Sequence, residues 1–163
     1  MIPEVIRVSK CFFIGHRNTP EEIRPLLLKS IDRHIAEYGV TEFYVGHYGA
    51  FDSMAADALC ETKKSYPHIK NYLLLAYHPA IRAVKKPEGF DDTILLDGQE
   101  TVPPRVAVTR LNRKIIREAD YLIAYVRYIT NGSYKLLEVA KASAVKGQIV
   151  ITNLAELLGG PLQ

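Results

Sequence analysis

The sequence predicts an α/β protein, a three-layer doubly wound parallel sheet of about five strands in the order 3-2-1-4-5. Short apolar runs alternate with helix-period segments, which is typical of strands joined by crossover helices. Three of these runs end on a histidine, His16, His47 and His78, and each follows the one before it by 31 residues. This spacing indicates two crossovers of equal length. We therefore expect the three rings at one carboxyl edge of the sheet.

The individual elements follow from apolar periodicity and from the residues that begin and end helices. Thr19, Pro20 and Glu22 form a helix start after the first strand, and Gly39 ends that helix. The segment 79–104 lacks a helical period and is typical of a lid or binding loop, with a short strand at Thr93–Leu96 as one alternative. The other predicted elements are strands at Lys10–Ile14, Glu42–Val45, Ile69–Tyr77, Tyr121–Val126 and Gln148–Ile151, and helices near 51–65, 105–119 and 131–146.

The composition indicates one ordinary folded domain over residues 1–163, with 48% hydrophobic and 24% charged residues. No apolar stretch approaches the roughly 20 residues that cross a bilayer, and no signal-peptide pattern opens the chain. We therefore expect a cytoplasmic protein without a membrane partner, with Cys11 and Cys60 as buried thiols. The net charge of +3 is too small to indicate a nucleic-acid interface, so a nucleic acid is not expected as a partner.

Glycine-containing turns follow the first two predicted strands. Gly15, His16 and Arg17 come directly after strand one, where glycine permits a sharp turn and arginine offers a planar fork for phosphate. The turn after strand two contains two glycines three residues apart, and this spacing favours an amide-lined concavity. It also contains a carboxylate that either caps the next helix or accepts hydrogen bonds from a ribose. Its candidate ligand-binding residues are Gly46, His47, Tyr48, Gly49 and Asp52.

A third turn of the same kind opens the last long helix. Asn131, Gly132 and Ser133 follow strand four, and the N-terminus of a helix favours anions. Three such turns at one sheet edge suit a ligand that carries a phosphate, a ribose and a base. The sequence therefore predicts a nucleotide-type site at the carboxyl edge of the sheet.

The histidines also raise the alternative of a metal site, because three histidines with an open position form a known zinc arrangement. In the order 3-2-1-4-5 the first and third strands lie about 10 Å apart, whereas zinc needs all three nitrogens about 2 Å from one point. No metal or other cofactor is therefore predicted, and His16, His47 and His78 are assigned to ligand contacts or to structural hydrogen bonds. Arg110 and Asn112, in the helix before strand four, are further ligand-binding candidates, with surface ion pairing as the alternative for the arginine.

Read together, Gly15-His16-Arg17, Gly46-x-x-Gly49-x-x-Asp52, Arg110-x-Asn112 and Gly132-Ser133 resemble the motifs of the SLOG superfamily, named for its Smf/DprA and LOG branches. The chain is most similar to its small stand-alone YpsA/YoqJ-like group of bacterial and phage proteins. The resemblance covers about residues 10–151. It implies a Rossmann-like fold and a nucleotide or nucleotide derivative, such as NAD or ADP-ribose, bound at the carboxyl edge.

One departure from the family bears on catalysis. The LOG branch consists of phosphoribohydrolases whose motif is similar to Gly-Gly-x-Gly-Thr-x-x-Glu, and here the glutamate position falls on Leu136. Glu138 lies two residues later, a rotation of about 200° around the helix. The resemblance thus favours a sensor or carrier of a nucleotide. One alternative is an enzyme that cleaves or transfers an N-glycosidic bond, with Asp52 or Glu138 as candidate catalytic residues. A weaker alternative is DNA binding as in the DprA branch. The sequence leaves turnover and oligomeric state open, and a homodimer is one alternative.

Overall fold

The computed structural model describes residues 8–129 and 132–158. Within them lies a six-stranded sheet in the order β4-β3-β2-β1-β5-β6. Every neighbouring pair is parallel. The predicted order is confirmed for the five expected strands, and the count was one short. The strands are β1 (Lys10–Gly15), β2 (Glu42–Val45), β3 (Lys70–Leu75), β4 (Asp92–Leu95), β5 (Tyr121–Tyr125) and β6 (Val150–Asn153).

The additional strand β4 lies in the segment where a short strand was one alternative. Asp91, just before it, fixes the returning chain to β3: its carboxylate accepts the Asn71 N–H (2.8 Å) and a hydrogen bond from the Lys63 ammonium. A short 3₁₀ helix follows at Gln99–Thr101. Much of the predicted irregular segment is thus anchored to the sheet.

Four helices cover the two faces of the sheet: α1 (Arg24–Ala36), α2 (Ala50–Ser65), α3 (Pro104–Glu118) and α4 (Gly132–Val145). Side chains alternate along β1, so that Phe13 packs in the core with α1 and α2, while Phe12 packs in the core with α3 and α4. These two cores give the predicted three layers. Within residues 8–129 and 132–158, no helix is long and apolar enough to span a bilayer.

The start of the first helical segment differs from its prediction. A 3₁₀ turn at Glu21–Ile23 precedes α1, and its cap is Pro20. The Thr19 hydroxyl does not cap the helix but donates to the His16 carbonyl (2.9 Å), which stabilises the turn after β1. Of the two thiols, Cys11 is buried as expected, whereas Cys60 is partly exposed.

The order of the strands determines where a ligand site can form. The chain proceeds outward from β1 to β4 on one side and then crosses to β5 on the other, so the order reverses at β1. Turns leaving β1 and β5 diverge at such a reversal and open a crevice. Gly15 stands at this point, and a Cβ there would lie 2.2 Å from the Phe51 ring, so only glycine allows α2 to pack this closely.

Candidate ligand-binding site

A cleft of about 950 Å³ opens at the carboxyl edge of the sheet. Its walls are the turns after β1 and β2 and the first halves of α3 and α4. Most of the predicted binding residues meet there. They are Gly15, His16, Arg17, Gly46, Tyr48, Gly49, Asp52, Asn112, Gly132 and Ser133.

His16 holds the connection between β5 and α4 in place. Its Nε2 accepts the main-chain N–H groups of Arg127 (2.8 Å) and Tyr128 (3.3 Å). Burial lowers the pKa of this ring, so it is neutral at pH 7 and able to accept these bonds. Its ring also contacts Tyr125 and Tyr128. His16 thus orients one wall of the cleft.

The turns after β1 and β2 are joined to each other. The Arg17 and His16 carbonyls accept the first amides of α2, those of Ala50 (2.9 Å) and Phe51 (3.4 Å). Main-chain carbonyls therefore take up part of the amide-lined concavity expected after β2. A Cβ on Gly49 would lie 3.0 Å from the Arg17 Cα, so glycine permits this close approach.

Two of the predicted histidines do not line the cleft. His47 is partly buried against Tyr48, with ring centroids 4.2 Å apart. His78 is exposed, and its Nδ1 accepts the Ala80 N–H (3.0 Å). Within the part of the chain that the structure describes, no group of three or more His, Cys, Asp or Glu side chains is arranged to hold a metal ion.

Two further candidates, Arg110 and Glu138, also lie outside the cleft. Arg110 donates to Gln99 Oε1 (2.6 Å) and to the Asp97 carbonyl (3.3 Å), and so stabilises the end of the 79–104 segment and not a ligand. Glu138 is exposed and pairs with Lys141 (3.4 Å), while Leu136 lines the cleft as the helical rotation predicts. Asn131 lies outside the described residues.

Asp52 is an acidic group in the wall of the cleft. Its Oδ2 accepts the Tyr48 N–H (3.0 Å), which ties the turn after β2 to the first turn of α2. Burial raises the pKa of this carboxyl to about 6, although the Tyr48 hydrogen bond favours the charged form. A buried carboxylate whose pKa is raised is characteristic of functional clefts.

Three cationic side chains that the sequence did not single out as binding residues also line the cleft. Arg105 and Arg113 belong to a stripe on α3 that includes Val108, Thr109 and Asn112, at intervals of three and four residues. Lys135 lies in the first turn of α4. With Arg17 they give four cations beside one carboxylate. Among the described residues, none of the four forms an ion pair.

Aromatic side chains border the charged part of the cleft. Tyr77 lines it, donates to the Pro104 carbonyl (3.1 Å) and carries the Arg82 guanidinium 4.3 Å from its ring centroid. Tyr128 lines the opposite wall and is 43% exposed. An exposed ring such as that of Tyr128 is able to stack on a flat ligand while neighbouring cations contact phosphate, and Tyr77 is partly exposed beside them.

The fold and the cleft define a Rossmann-like α/β protein with an open cleft at the carboxyl edge of its sheet. No protein-family model and no curated protein sequence matches the chain. Solved structures of DNA processing protein A (DprA), a member of the SLOG (Smf/DprA) family, do match its fold. DprA from Streptococcus pneumoniae has a TM-score of 0.60 at 13% identity over 96% of this chain. The alignment covers 62% of that protein, less than two thirds of its length.

A second DprA structure matches in the same way. DprA from Helicobacter pylori has a TM-score of 0.54 at 15% identity, with 93% of this chain and 79% of that protein covered. The Helicobacter protein binds single-stranded DNA. The expectation that a nucleic acid is not a partner was therefore wrong. It was based on the net charge of the whole chain, which does not report a local concentration of charge such as the four cations of the cleft.

Proposed function

We propose that this protein is a SLOG-type binding protein that holds a nucleotide or a nucleotide derivative in the carboxyl-edge cleft. The observation that carries the proposal is that four cations, without ion pairs among the described residues, line one cleft at the sheet edge where the strand order reverses. A cleft of about 950 Å³ is at the upper end of the range for small-ligand sites.

The phosphate belongs at the start of α4. Gly132 and Ser133 line the cleft where this helix begins, and helix N-termini favour anions. The Ser133 hydroxyl donates to the Gly15 carbonyl (2.8 Å), which links this helix start to the turn after β1. Lys135 and Arg17 are then the cations available to the phosphate oxygens, and Arg17 offers a bidentate fork.

The base belongs against the apolar and aromatic part of the cleft. Val108 and Leu136 supply apolar surface, and Tyr77 and Tyr128 supply aromatic rings. Asn112 offers both a donor and an acceptor for a base edge. Because leucine occupies the position of the LOG glutamate, binding without turnover is the function that these residues support best.

Titration calorimetry with AMP, NAD and ADP-ribose tests this proposal. We expect at least one of these ligands to bind, and Arg113→Ala to weaken it about tenfold or more, since a charge-assisted hydrogen bond contributes about 1.5–3 kcal/mol. Arg117→Ala is the matched control, because Arg117 is exposed one turn later on α3 and does not line the cleft. Binding that is equal in both variants would place the ligand elsewhere.

Turnover is tested in the same samples. After long incubation with each ligand, chromatography should detect no free base beyond that in a protein-free control. Release of base by the wild-type protein would instead support the alternative of an enzyme acting on an N-glycosidic bond, with Asp52 as its candidate acid or base.

Single-stranded DNA is the second candidate ligand, and the fold shared with the DNA-binding Helicobacter DprA favours it. The cations of the cleft would then contact successive phosphates while Tyr77 and Tyr128 stack on bases. Fluorescence anisotropy with a labelled oligothymidylate distinguishes the two ligands. DNA binding in the cleft should weaken steeply as salt is raised and should weaken in Arg113→Ala.

Three finer assignments stay predictions beside this proposal. They are the relation to the YpsA/YoqJ-like group, the cytoplasmic location and the homodimer. Size-exclusion chromatography with light scattering tests the last of these directly.

A further inference from the structure

Within the part of the chain that the structure describes, one oxygen of the Asp52 carboxylate accepts no hydrogen bond. Its Oδ2 accepts the Tyr48 N–H, but among the described residues no hydrogen-bond donor contacts Oδ1. The Asp52 side chain lines the cleft, and Oδ1 does not belong to the buried polar atoms that lack a partner. A ligand in the cleft can therefore reach this oxygen. We propose that Asp52 determines specificity by accepting a hydrogen bond from a ribose hydroxyl, so that the cleft prefers ribonucleotides to nucleotides that lack the 2′ and 3′ hydroxyls. This inference rests on the proposed function of the cleft.

The protein fixes the position of this carboxylate before any ligand binds. Asp52 belongs to the first turn of α2, and its bond to Tyr48 closes the turn between β2 and that helix. A Cβ on Gly46 would lie 3.0 Å from Oδ2, so the glycine leaves the space that the carboxylate occupies. An acceptor held in this way loses little conformational freedom when a ligand hydroxyl donates to it.

The charges in the cleft indicate which part of the ligand meets Asp52. Asp52 is the one carboxylate among the described lining residues, and Arg17, Arg105, Arg113 and Lys135 are the cations. A phosphate is repelled by a carboxylate and attracted by the cations and by the start of α4. The carboxylate therefore faces a neutral part of the ligand that carries hydrogen-bond donors. In a nucleotide the sugar hydroxyls and the base N–H groups meet this description, and the base is assigned to the apolar and aromatic part of the cleft, which leaves the sugar hydroxyls for Asp52.

The electrostatics of the side chain agree with this role. Burial raises the pKa of Asp52 to about 6, so at pH 7.5 the group is ionised at a cost in stability. Donation from a ligand hydroxyl would offset part of that cost, which gives a hydroxyl-bearing ligand an advantage over one without hydroxyls.

The experiment compares sugars on the same base. Titration calorimetry at pH 7.5 measures the four ribonucleoside 5′-monophosphates and their 2′,3′-dideoxy counterparts, so that base amines are the same within each pair. We expect the wild-type protein to prefer the ribonucleotide about tenfold or more for the base that binds best. Asp52→Asn should reduce the preference to within about twofold. Asp57→Asn, an exposed residue on the same helix, should leave it unchanged.

Three other outcomes would overturn the inference. If the wild-type protein binds both sugars equally while Arg113→Ala weakens both, the cleft binds nucleotides and Asp52 does not select the sugar. If no nucleotide of either series binds while NAD or ADP-ribose does, the inference fails alone; if none of these ligands binds, the proposed function fails with it. If the wild-type protein releases free base from a ribonucleotide and Asp52→Asn does not, Asp52 has a catalytic role instead. The folded state of Asp52→Asn is checked by circular dichroism, and Asp52→Ser provides a second variant.

Discussion

Replacing Asp52 by Asn should make the protein more stable at neutral pH and not in acid. The pKa of Asp52 is raised from an ordinary 3.8 to about 6 in the folded protein. The folded state therefore holds this proton more tightly than the unfolded chain does. The resulting stabilisation is complete below about pH 4 and is lost as the pH rises from about 4 to about 6.

The size of the effect follows from the same difference. One pKa unit corresponds to about 1.4 kcal/mol, so ionised Asp52 lowers the free energy of unfolding by at most about 3 kcal/mol, and by less where water in the open cleft solvates the carboxylate. An asparagine oxygen still accepts the Tyr48 N–H and carries no charge. We therefore expect Asp52→Asn to be about 1–3 kcal/mol more stable than wild type at pH 7.5, and the gain to disappear near pH 4.

Urea denaturation followed by far-UV circular dichroism measures this difference, since the chain has no tryptophan for a fluorescence assay. Titrations at pH 4, 5, 6 and 7.5 cover the transition. Asp57→Asn, on the same helix and exposed, should stay within about 0.5 kcal/mol of wild type throughout. A gain of equal size at every pH, or a loss at pH 7.5, would refute the assignment of the raised pKa to burial of this carboxylate.

Three further predictions concern the residues that shape the cleft. Gly15→Ala should lower the free energy of unfolding by roughly 3 kcal/mol because its Cβ would clash with Phe51. The Cβ of Gly132→Ala meets open space, so this variant should change the free energy of unfolding by less than 1 kcal/mol. Urea titrations that give both variants the same stability would contradict this packing. Gln99→Leu leaves buried main-chain carbonyls without its amide and should lower the midpoint of thermal unfolding, with a loss of about 3 kcal/mol. His16→Ala should lower the free energy of unfolding by about 2 kcal/mol. Because burial lowers the pKa of His16, the wild-type protein loses stability as this ring is protonated, so the difference in free energy of unfolding between wild type and variant should narrow below about pH 6.5. A difference that does not change with pH would argue against a neutral His16.

The sheet could be predicted because its signal is local and repeated. The predicted β1 and β2 agree with the observed strands within one residue, since β1 is a continuous buried apolar run and burial alternates along β2. The edge strand β4 was only one alternative, because it is four residues long and its pairing with β3 depends on Asp91 reaching back to Asn71. A contact of that kind joins residues far apart in sequence, and no local pattern contains it.

Part of the candidate site could likewise be predicted from the sequence, and part could not. The turn glycines could be found because they follow strands directly, and the strand order brings such turns to one edge. Arg110 does not line the cleft, because its guanidinium donates to Gln99, which lies in a 3₁₀ turn that the periodicity did not predict. Arg110 and Arg113 are three residues apart on α3, yet only Arg113 lines the cleft. Spacing gives the face of a helix, but the neighbouring elements decide which side chain on that face meets a ligand.

The composition of the whole chain does not report the charge of the cleft. The chain carries 21 basic and 18 acidic residues, and such a balance indicates no polyanion. Much of that acidity lies outside the cleft, for example at Glu61 and Glu37, which pair with arginines on the face covered by α1 and α2. Among the described residues that line the cleft, four are cationic and one is a carboxylate. Attraction of a phosphate depends on charges within about 10 Å, one Debye length, so this local excess and not the net charge determines which ligands the cleft attracts.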